Sequence, residues 1–361
     1  MFSVEKNLIK NKKNSSVINI RISIPIKTQL NQIHKTNIQL IKNDEKDQEA
    51  IVEKIINNHR KNNSVVLNLF TGFGKTIVGL YLASYFKRTL VIISYNVLYN
   101  QWMDKIKEYN IDYVDVVKVI TELNKNTIEI NKEYGMIIID ECHHEFKRVS
   151  KLIKRYEIEQ LIGLSATPLE IEETKTVFKD VISIPLQPRS YTVQPVKLYF
   201  DCITFKKNKQ GKRDYNVAMS EMYNNKDRMN AISNFINERL YLKSLILVRN
   251  IVTIEYLKNN IKTTDLSTFY GSMSELNLEN NIVIGTYPKM GVGLDTKCFN
   301  ALYLLDNKKN IIQAEGRCRN DDLIIFDLID SDGIFKNHYY LHKKFYRERK
   351  VKILDYIHLR E

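Results

Sequence analysis

Val65-Val66-Leu67-Asn68-Leu69-Phe70-Thr71-Gly72-Phe73-Gly74-Lys75-Thr76 is the stretch on which the chain turns. An apolar run ends in a short glycine-containing turn, followed by Lys-Thr. Ile77, Leu80, Tyr81 and Ser84 then recur at helical spacing. A strand that enters a helix through such a loop builds a phosphate cradle. Backbone N–H groups point inward and the helix N-terminus adds partial positive charge. Thr71, Gly72 and Gly74 would shape the cradle, Lys75 would reach the β- and γ-phosphates of a nucleotide, and Thr76 would ligate Mg²⁺. The full pattern asks for glycine five residues before Gly74, where this chain has Leu69. A glycine turn with a chance Lys-Thr reads the same way, so the loop needs a second feature elsewhere in the chain.

That feature is Met136-Ile137-Ile138-Ile139-Asp140-Glu141-Cys142-His143. A buried apolar strand here ends in two carboxylates. Asp140 at the strand's carboxyl end could hold Mg²⁺ against phosphates, and Glu141 could orient and deprotonate an attacking water. Phosphoryl transfer asks for these roles: a metal clamp, a positioned nucleophile and charge stabilisation. Asp-Glu after a strand is also what a plain helix N-cap looks like. Its place in the same lobe as the Lys-Thr loop favours the chemical reading.

Between and beyond these stretches, strand-like and helical runs alternate. Strands are expected at Val65–Phe70, Leu90–Ser94, Tyr113–Ile120, Met136–Ile139 and Leu161–Leu164, with helices at Thr76–Tyr85 and Val97–Tyr109. Alternation of this kind predicts a parallel sheet with helices on both faces, and ligands at the carboxyl ends of its strands. Around residues 181–209 the pattern weakens and Pro185, Pro188 and Pro195 cluster, so a linker is expected near 186–196. A second alternation follows. The fold class is α/β, with two tandem parallel-sheet lobes, a small N-terminal β segment and a C-terminal helix. The expected divisions are 1–43, 44–188, 189–332 and 333–361, the last read as a basic helix with aromatics packed on the second lobe.

Charge is unevenly spread. Residues 1–42 carry +7 and residues 336–361 carry +5, nearly all of the net +13. Basic ends around a neutral middle suit a polyanion partner, although solvated basic tails would look the same. No run of eighteen apolar residues exists, so no membrane span is expected. The first thirteen residues lack the apolar centre of a signal peptide. Cys142, Cys202, Cys298 and Cys318 show no C-x-x-C spacing, so neither zinc nor a disulfide framework is expected. Reduced thiols and a cytoplasmic location fit.

The phosphate loop followed by an Asp-Glu-x-His box resembles the superfamily 2 helicases, and the resemblance runs over about residues 44–350. It implies two RecA-like lobes, ATP and Mg²⁺ as cofactors, and ATP hydrolysis driven by nucleic acid. Gln48 matches the upstream glutamine that reads adenine, with Asp47 where an aromatic is usual. Leu98-x-x-Gln101-Trp102 resembles a nucleic-acid-contact motif, which assigns Gln101 to the strand. Ser165-Ala166-Thr167-Pro168 resembles the coupling motif, so Ser165 and Thr167, with His143 of the box, would link hydrolysis to movement. Ile284-Gly285-Thr286 and Gly291-Val292-Gly293-Leu294-Asp295 resemble the motif that touches strand through Thr286 and nucleotide through Gly293 and Asp295. Gln313-x-x-Gly316-Arg317 resembles the arginine-finger motif. The family's last arginine there is Asn320, with Arg319 one residue early, so either Arg319 or Arg317 would carry the finger. The tail, with Asp327-Leu328-Ile329-Asp330, Phe335, Lys336, His338, Arg347 and Lys350, resembles those of the poxvirus transcript-release helicase and related giant-virus and phage recombination helicases.

The expected activity is therefore an ATP-dependent DNA or RNA helicase or translocase, in viral transcription or recombination. Nucleic acid would be gripped through its backbone without sequence preference, and transcription or replication machinery would be the further partner. The alternative is a nucleic-acid-binding subunit with a weak or degenerate motor, suggested by Asn320.

Overall fold

The computed structural model describes residues 21–22, 30–43, 46–59, 61–94, 96–119, 133–142, 146–166, 177–184, 188–200, 214–271, 273, 277–290, 298–316, 318, 320–331 and 333–360. The first lobe contains β1 (Arg21–Ile22), α1 (Gln48–Asn57), β2 (Ser64–Asn68), α2 (Lys75–Ala83), β3 (Thr89–Ile93), α3 (Asn96–Glu108), β4 (Val114–Lys118), β5 (Met136–Asp140), α4 (Phe146–Ile153), β6 (Glu157–Ile158), β7 (Gln160–Ser165) and β8 (Asp180–Ser183). Six of its strands form one parallel sheet in the order β4-β3-β5-β7-β2-β8. Alternate residues enter two different cores. Val65, Leu67, Val91, Ile93, Met136 and Ile138 face one; Val66, Leu90, Ile92, Ile137 and Ile139 face the other. Near-continuous apolar runs are what a parallel strand needs when both faces are covered.

The second lobe contains β9 (Thr192–Tyr199), α5 (Tyr215–Asn224), α6 (Lys226–Asn237), β10 (Ser244–Val248), α7 (Ile251–Asn260), β11 (Leu266–Phe269), β12 (Ile282–Thr286), α8 (Tyr287–Met290), β13 (Ala301–Leu304), α9 (Ile312–Glu315), β14 (Ile324–Asp330), α10 (Gly333–Glu348), β15 (Lys352–Ile353) and β16 (Ile357–Arg360). Its eight strands are parallel, in the order β11-β12-β10-β13-β14-β9, with β15 and then β16 along the far side of β9. The same division of faces recurs, Ile246 and Val248 on one core and Leu245 and Leu247 on the other. Two tandem RecA-like α/β lobes result, as the sequence led one to expect.

Three expectations change. The proposed linker near 186–196 runs into β9, a central strand of the second lobe. Pro195 hid it, because proline has no N–H to donate to a ladder. β15 pairs with Thr192 and Val193, and β16 begins at Val196. Pro195 therefore falls in the gap between two partners, where Gln194 Nε2 donates instead to the Asp355 carbonyl at 2.5 Å. Second, residues 352–360 are strands rather than a continuation of the basic helix. Third, the described part of the N-terminal segment is no separate unit. Ile38 is buried in the first lobe's core, and the His34 ring stacks on Tyr113 at 3.9 Å. Of the small N-terminal β segment expected from the sequence, Arg21–Ile22 is the part that forms a strand among the described residues, paired parallel with β6.

Candidate functional site

The loop between β2 and α2 has the conformation its glycines allow. Gly72 and Gly74 sit at φ 87° and 97°, the left-handed region that side chains avoid. At Gly74 a Cβ would also collide with Gln48 Nε2. Lys75 and Thr76 open α2 directly after this turn, so the N–H groups of its first turn face the loop's concave side.

Gln48 is nearly fully buried, at 1% exposure. Its Nε2 donates to the Phe73 carbonyl at 2.6 Å, and its Oε1 accepts from the Ile41 N–H at 2.9 Å. It braces the loop from behind. A second N–H and a second lone pair remain on the amide, so an adenine edge could be read without dismantling the brace. Asp47 replaces an aromatic for a local reason: its carboxylate accepts from Ala50 N–H at 2.8 Å and caps α1.

Asp140 and Glu141 leave β5 beside the loop. Lys75 Nζ lies 3.1 Å from Glu141 Oε1, both side chains largely buried. Glu141 has φ 49°, rare for a residue with a side chain and typical of functional turns. Asp140 Oδ1 accepts from the Glu141 N–H and Oδ2 from Trp102 Nε1, each at 2.9 Å. Burial, then the neighbouring Glu141 carboxylate, raises the Asp140 pKa; Lys75 and the indole hydrogen bond oppose this.

Trp102 was read only as part of a nucleic-acid motif on α3. It is fully buried and reaches the carboxylate through a space that Gly79 leaves open; a Cβ there would stand 2.9 Å from its ring. A tryptophan in the register of an otherwise amphipathic helix, facing a glycine on the next helix, was the signal available in the sequence. Gln101 stays half-buried on the same helix. Cys142 packs beneath the site, its Sγ meeting Gly163, and burial pushes its thiol pKa up. Ser165 ends β7 beside the loop, its carbonyl accepting from Leu69 N–H at 2.9 Å.

The second lobe brings α9 against the same loop. A Cβ on Gly316 would stand 2.6 Å from Thr71 Cβ, so glycine at this point of the Gln-x-x-Gly-Arg motif lets the two lobes meet. Gln313 lies in α9. Glu315, beside it, is buried and ion-paired with Arg349 at 3.1 Å, which ties α9 to the end of α10. Asn320 accepts from Asp322 N–H through its side chain at 3.0 Å, closing a turn into β14. His143, Thr167, Gly293, Asp295, Arg317 and Arg319, with the Gln313 side chain, lie outside the described residues.

Further along the carboxyl edge of the second sheet, a cavity of about 650 Å³ is lined by Arg249, Lys308, Lys309, His338, Tyr215 and Tyr287. Tyr287 directly follows Thr286 at the end of β12. Burial, then Arg249, lowers the Lys308 amine to about 8. Three cationic side chains around one cavity suit a phosphate.

Residues fit for Mg²⁺ are oxygen donors, Thr76 and Asp140. No cluster of three or more His, Cys, Asp or Glu suited to a metal exists among the described residues. Mg²⁺ takes one or two protein oxygen ligands and fills its sphere with substrate phosphates and water. No described helix is long and apolar enough to cross a membrane.

Residues 41–133 and 120–170 match the family model described as "Type III restriction enzyme, res subunit". The "Putative helicase 161L" of Invertebrate iridescent virus 6 is 27% identical, over 94% of this chain and 88% of its own length. The "Putative ATP-dependent RNA helicase L396" of Acanthamoeba polyphaga mimivirus is 25% identical over 86% and 68%. The "Transcript termination protein A18" of Yaba-like disease virus is 23% identical over 83% and 74%. The resemblance drawn from the motifs is supported: over most of its length the chain is similar to viral proteins named as helicases.

Proposed function

We propose that the chain is a nucleic-acid-stimulated ATP hydrolase that moves along or unwinds DNA or RNA. The observation that carries this reading is the Lys75–Glu141 ion pair at 3.1 Å, which joins the phosphate loop to the acidic turn. In the state described here the two groups neutralise each other. A triphosphate entering the loop competes for Lys75. Glu141, released from that pair, would accept a proton from a water aligned on the γ-phosphate. Asp140 and Thr76 would hold Mg²⁺, which when bound offsets phosphate charge. Asp140 is kept in place by the Trp102 indole and the Glu141 N–H.

Lobe closure supplies the rest. The contact of Gly316 with Thr71 supports a cleft in which Arg317 or Arg319 approaches the phosphates. Asn320, engaged in its own turn, leaves that task to one of them. Gly293, Asp295 and Gln313 would complete the nucleotide's surroundings, and His143, Ser165 and Thr167 the coupling path. Gln101 on α3 and Thr286 beside the cationic cavity would grip the strand. Contacts of this kind go to phosphates and carry no sequence information. A place in viral transcription follows from the A18 relative's name, with transcription machinery as the further partner.

ATP hydrolysis should rise when single-stranded DNA or RNA is added. Lys75→Ala and Glu141→Gln should each abolish that rise, a loss of at least about a hundredfold. Equal rates for the unaltered protein and Glu141→Gln would leave a nucleic-acid-binding subunit with a degenerate motor. The only feature favouring that second reading is Asn320.

A further inference from the structure

β16 lies against the carboxyl-terminal half of β9, with His358 opposite Lys197 and Arg360 opposite Tyr199. Strand side chains alternate between faces. Val196, Leu198, Ile357 and Leu359 point into the second lobe's core. Lys197, Tyr199, His358 and Arg360 therefore share the opposite face. There they form a ladder of rings and cations. Lys197 Nζ lies 3.9 Å over the Tyr356 ring, Tyr199 and His358 stack at 5.5 Å and 16°, and Arg360 lies 5.2 Å over Tyr199. The cations thus rest on ring faces rather than against carboxylates. Beside the ladder is a cavity of about 260 Å³, lined among others by Lys197, Tyr199, Tyr356 and three residues of α10: Lys336, Tyr339 and Tyr340. Tyr340 is 66% exposed and Tyr199 39%, which core packing does not explain.

We infer that this edge of the second lobe is a binding surface for single-stranded nucleic acid, with bases stacking on Tyr199 and Tyr340 and backbone phosphates meeting Lys197, Lys336 and Arg360. The chemistry singles out this ligand. Every base has a π-face that stacks on an aromatic ring, and the phosphate backbone seeks the cations between the rings. An acidic peptide would satisfy the cations but not the rings. The position suits it as well. All strands of this sheet are parallel, so Tyr199 and Arg360 lie at the same carboxyl-terminal end as the Arg249–Lys308 cavity. α10 lines both places, through His338 on one side and Lys336 and Tyr340 on the other. A strand leaving the motor's grip on the second lobe would have a next place to bind, which would lengthen the site and slow dissociation. The inference rests on the motor reading above.

The test uses the full chain and fluorescein-labelled 20-mers of thymidine, of uridine and of abasic deoxyribose phosphate, with affinities measured across a salt series. The unaltered protein should prefer the thymidine or uridine strand to the abasic one. Tyr199→Ala/Tyr340→Ala should weaken base-bearing strands about tenfold and erase the preference, whereas Tyr199→Phe/Tyr340→Phe should retain it. Lys197→Gln/Arg360→Gln should reduce the slope of log affinity against log salt by about 1.4, the release expected for two phosphate contacts on a single strand. Tight binding by the unaltered protein, with unchanged affinity and slope in both double variants, would overturn the inference and leave the motor reading intact. No binding of any strand, together with no stimulation of hydrolysis, would remove both.

Discussion

Both lobes end a central strand in an acidic turn, and the two turns have been put to opposite uses. In the first, β5 runs into Asp140 and Glu141, with φ 49° at Glu141. In the second, β13 runs through Leu305 into Asp306 and Asn307, with φ 67° and 47°. In both, a left-handed residue turns the chain out of the sheet. The partners differ. Glu141 pairs with a lysine that a phosphate can draw away. Around Asp306 every neighbouring acid is tied into the scaffold. Asp330 takes a two-pronged ion pair from buried Arg228 at 2.6 and 2.9 Å and a hydrogen bond from Asn307 at 2.5 Å. Asp327 Oδ2 accepts from His342 and Tyr346, each at 2.9 Å. Acids with exchangeable partners mark the chemistry; acids with buried, multiply bonded partners mark the frame. Asp306 itself, pushed up to about 6 by burial, accepts from the Arg249 N–H at 2.9 Å.

The comparison can be broken in three places, beginning with the largest effect. Arg228→Ala strands Asp330 in the core. It should cost the protein about 3–5 kcal/mol by chemical denaturation, the usual range when one partner of a buried ion pair is removed. Lys75→Ala breaks a less deeply buried ion pair and should cost distinctly less than Arg228→Ala, while removing turnover. If Arg228→Ala were as stable as the unaltered protein, the division between frame and chemistry would fail. Next, Trp102→Phe keeps an aromatic ring of smaller volume and removes the hydrogen bond to Asp140, worth about 1.5–3 kcal/mol for a charged acceptor. The Mg²⁺ concentration for half-maximal hydrolysis should rise roughly tenfold, while Met103→Leu on the same helix should leave it unmoved; an unshifted Mg²⁺ curve for Trp102→Phe would make the tryptophan packing alone. The smallest effect is a pH slope. Burial lowers the His342 pKa, but the Asp327 carboxylate and the Lys308 carbonyl outweigh it and leave it raised. A raised folded-state pKa stabilises below 6.5 and is lost as pH rises through the raised value. Melting temperature should therefore fall as pH climbs above neutral, and His342→Asn should flatten that slope.

Much of this was legible because it is local. An apolar run, a glycine turn and Lys-Thr specify strand, left-handed loop and helix within a dozen residues, and β5 with Asp140-Glu141 does the same. What stayed hidden depends on contacts distant in the chain. Pro195 argued against a strand until the gap between β15 and β16 showed why one is tolerated there. Strands β15 and β16 are short and half-exposed, and their apolar alternation, Ile357 and Leu359, is too brief to separate from a helix. Gln48 looked like a base reader, and only the fold shows that its amide holds the loop. Trp102 was assigned to the strand-binding motif because Gln101 precedes it. On a helix, neighbours point about 100° apart, so one residue can face a ligand surface while the next enters the core.

Trp102 is the chain's sole tryptophan. Its indole N–H is bonded to the carboxylate assigned to Mg²⁺, and its ring lies against Gly79 on the helix that Lys75 begins. The protein thus has a native optical probe at the base of its nucleotide pocket. Its ultraviolet emission, excited selectively near the red edge of indole absorption, should shift when a charge arrives at or leaves Asp140, without any label and without turnover.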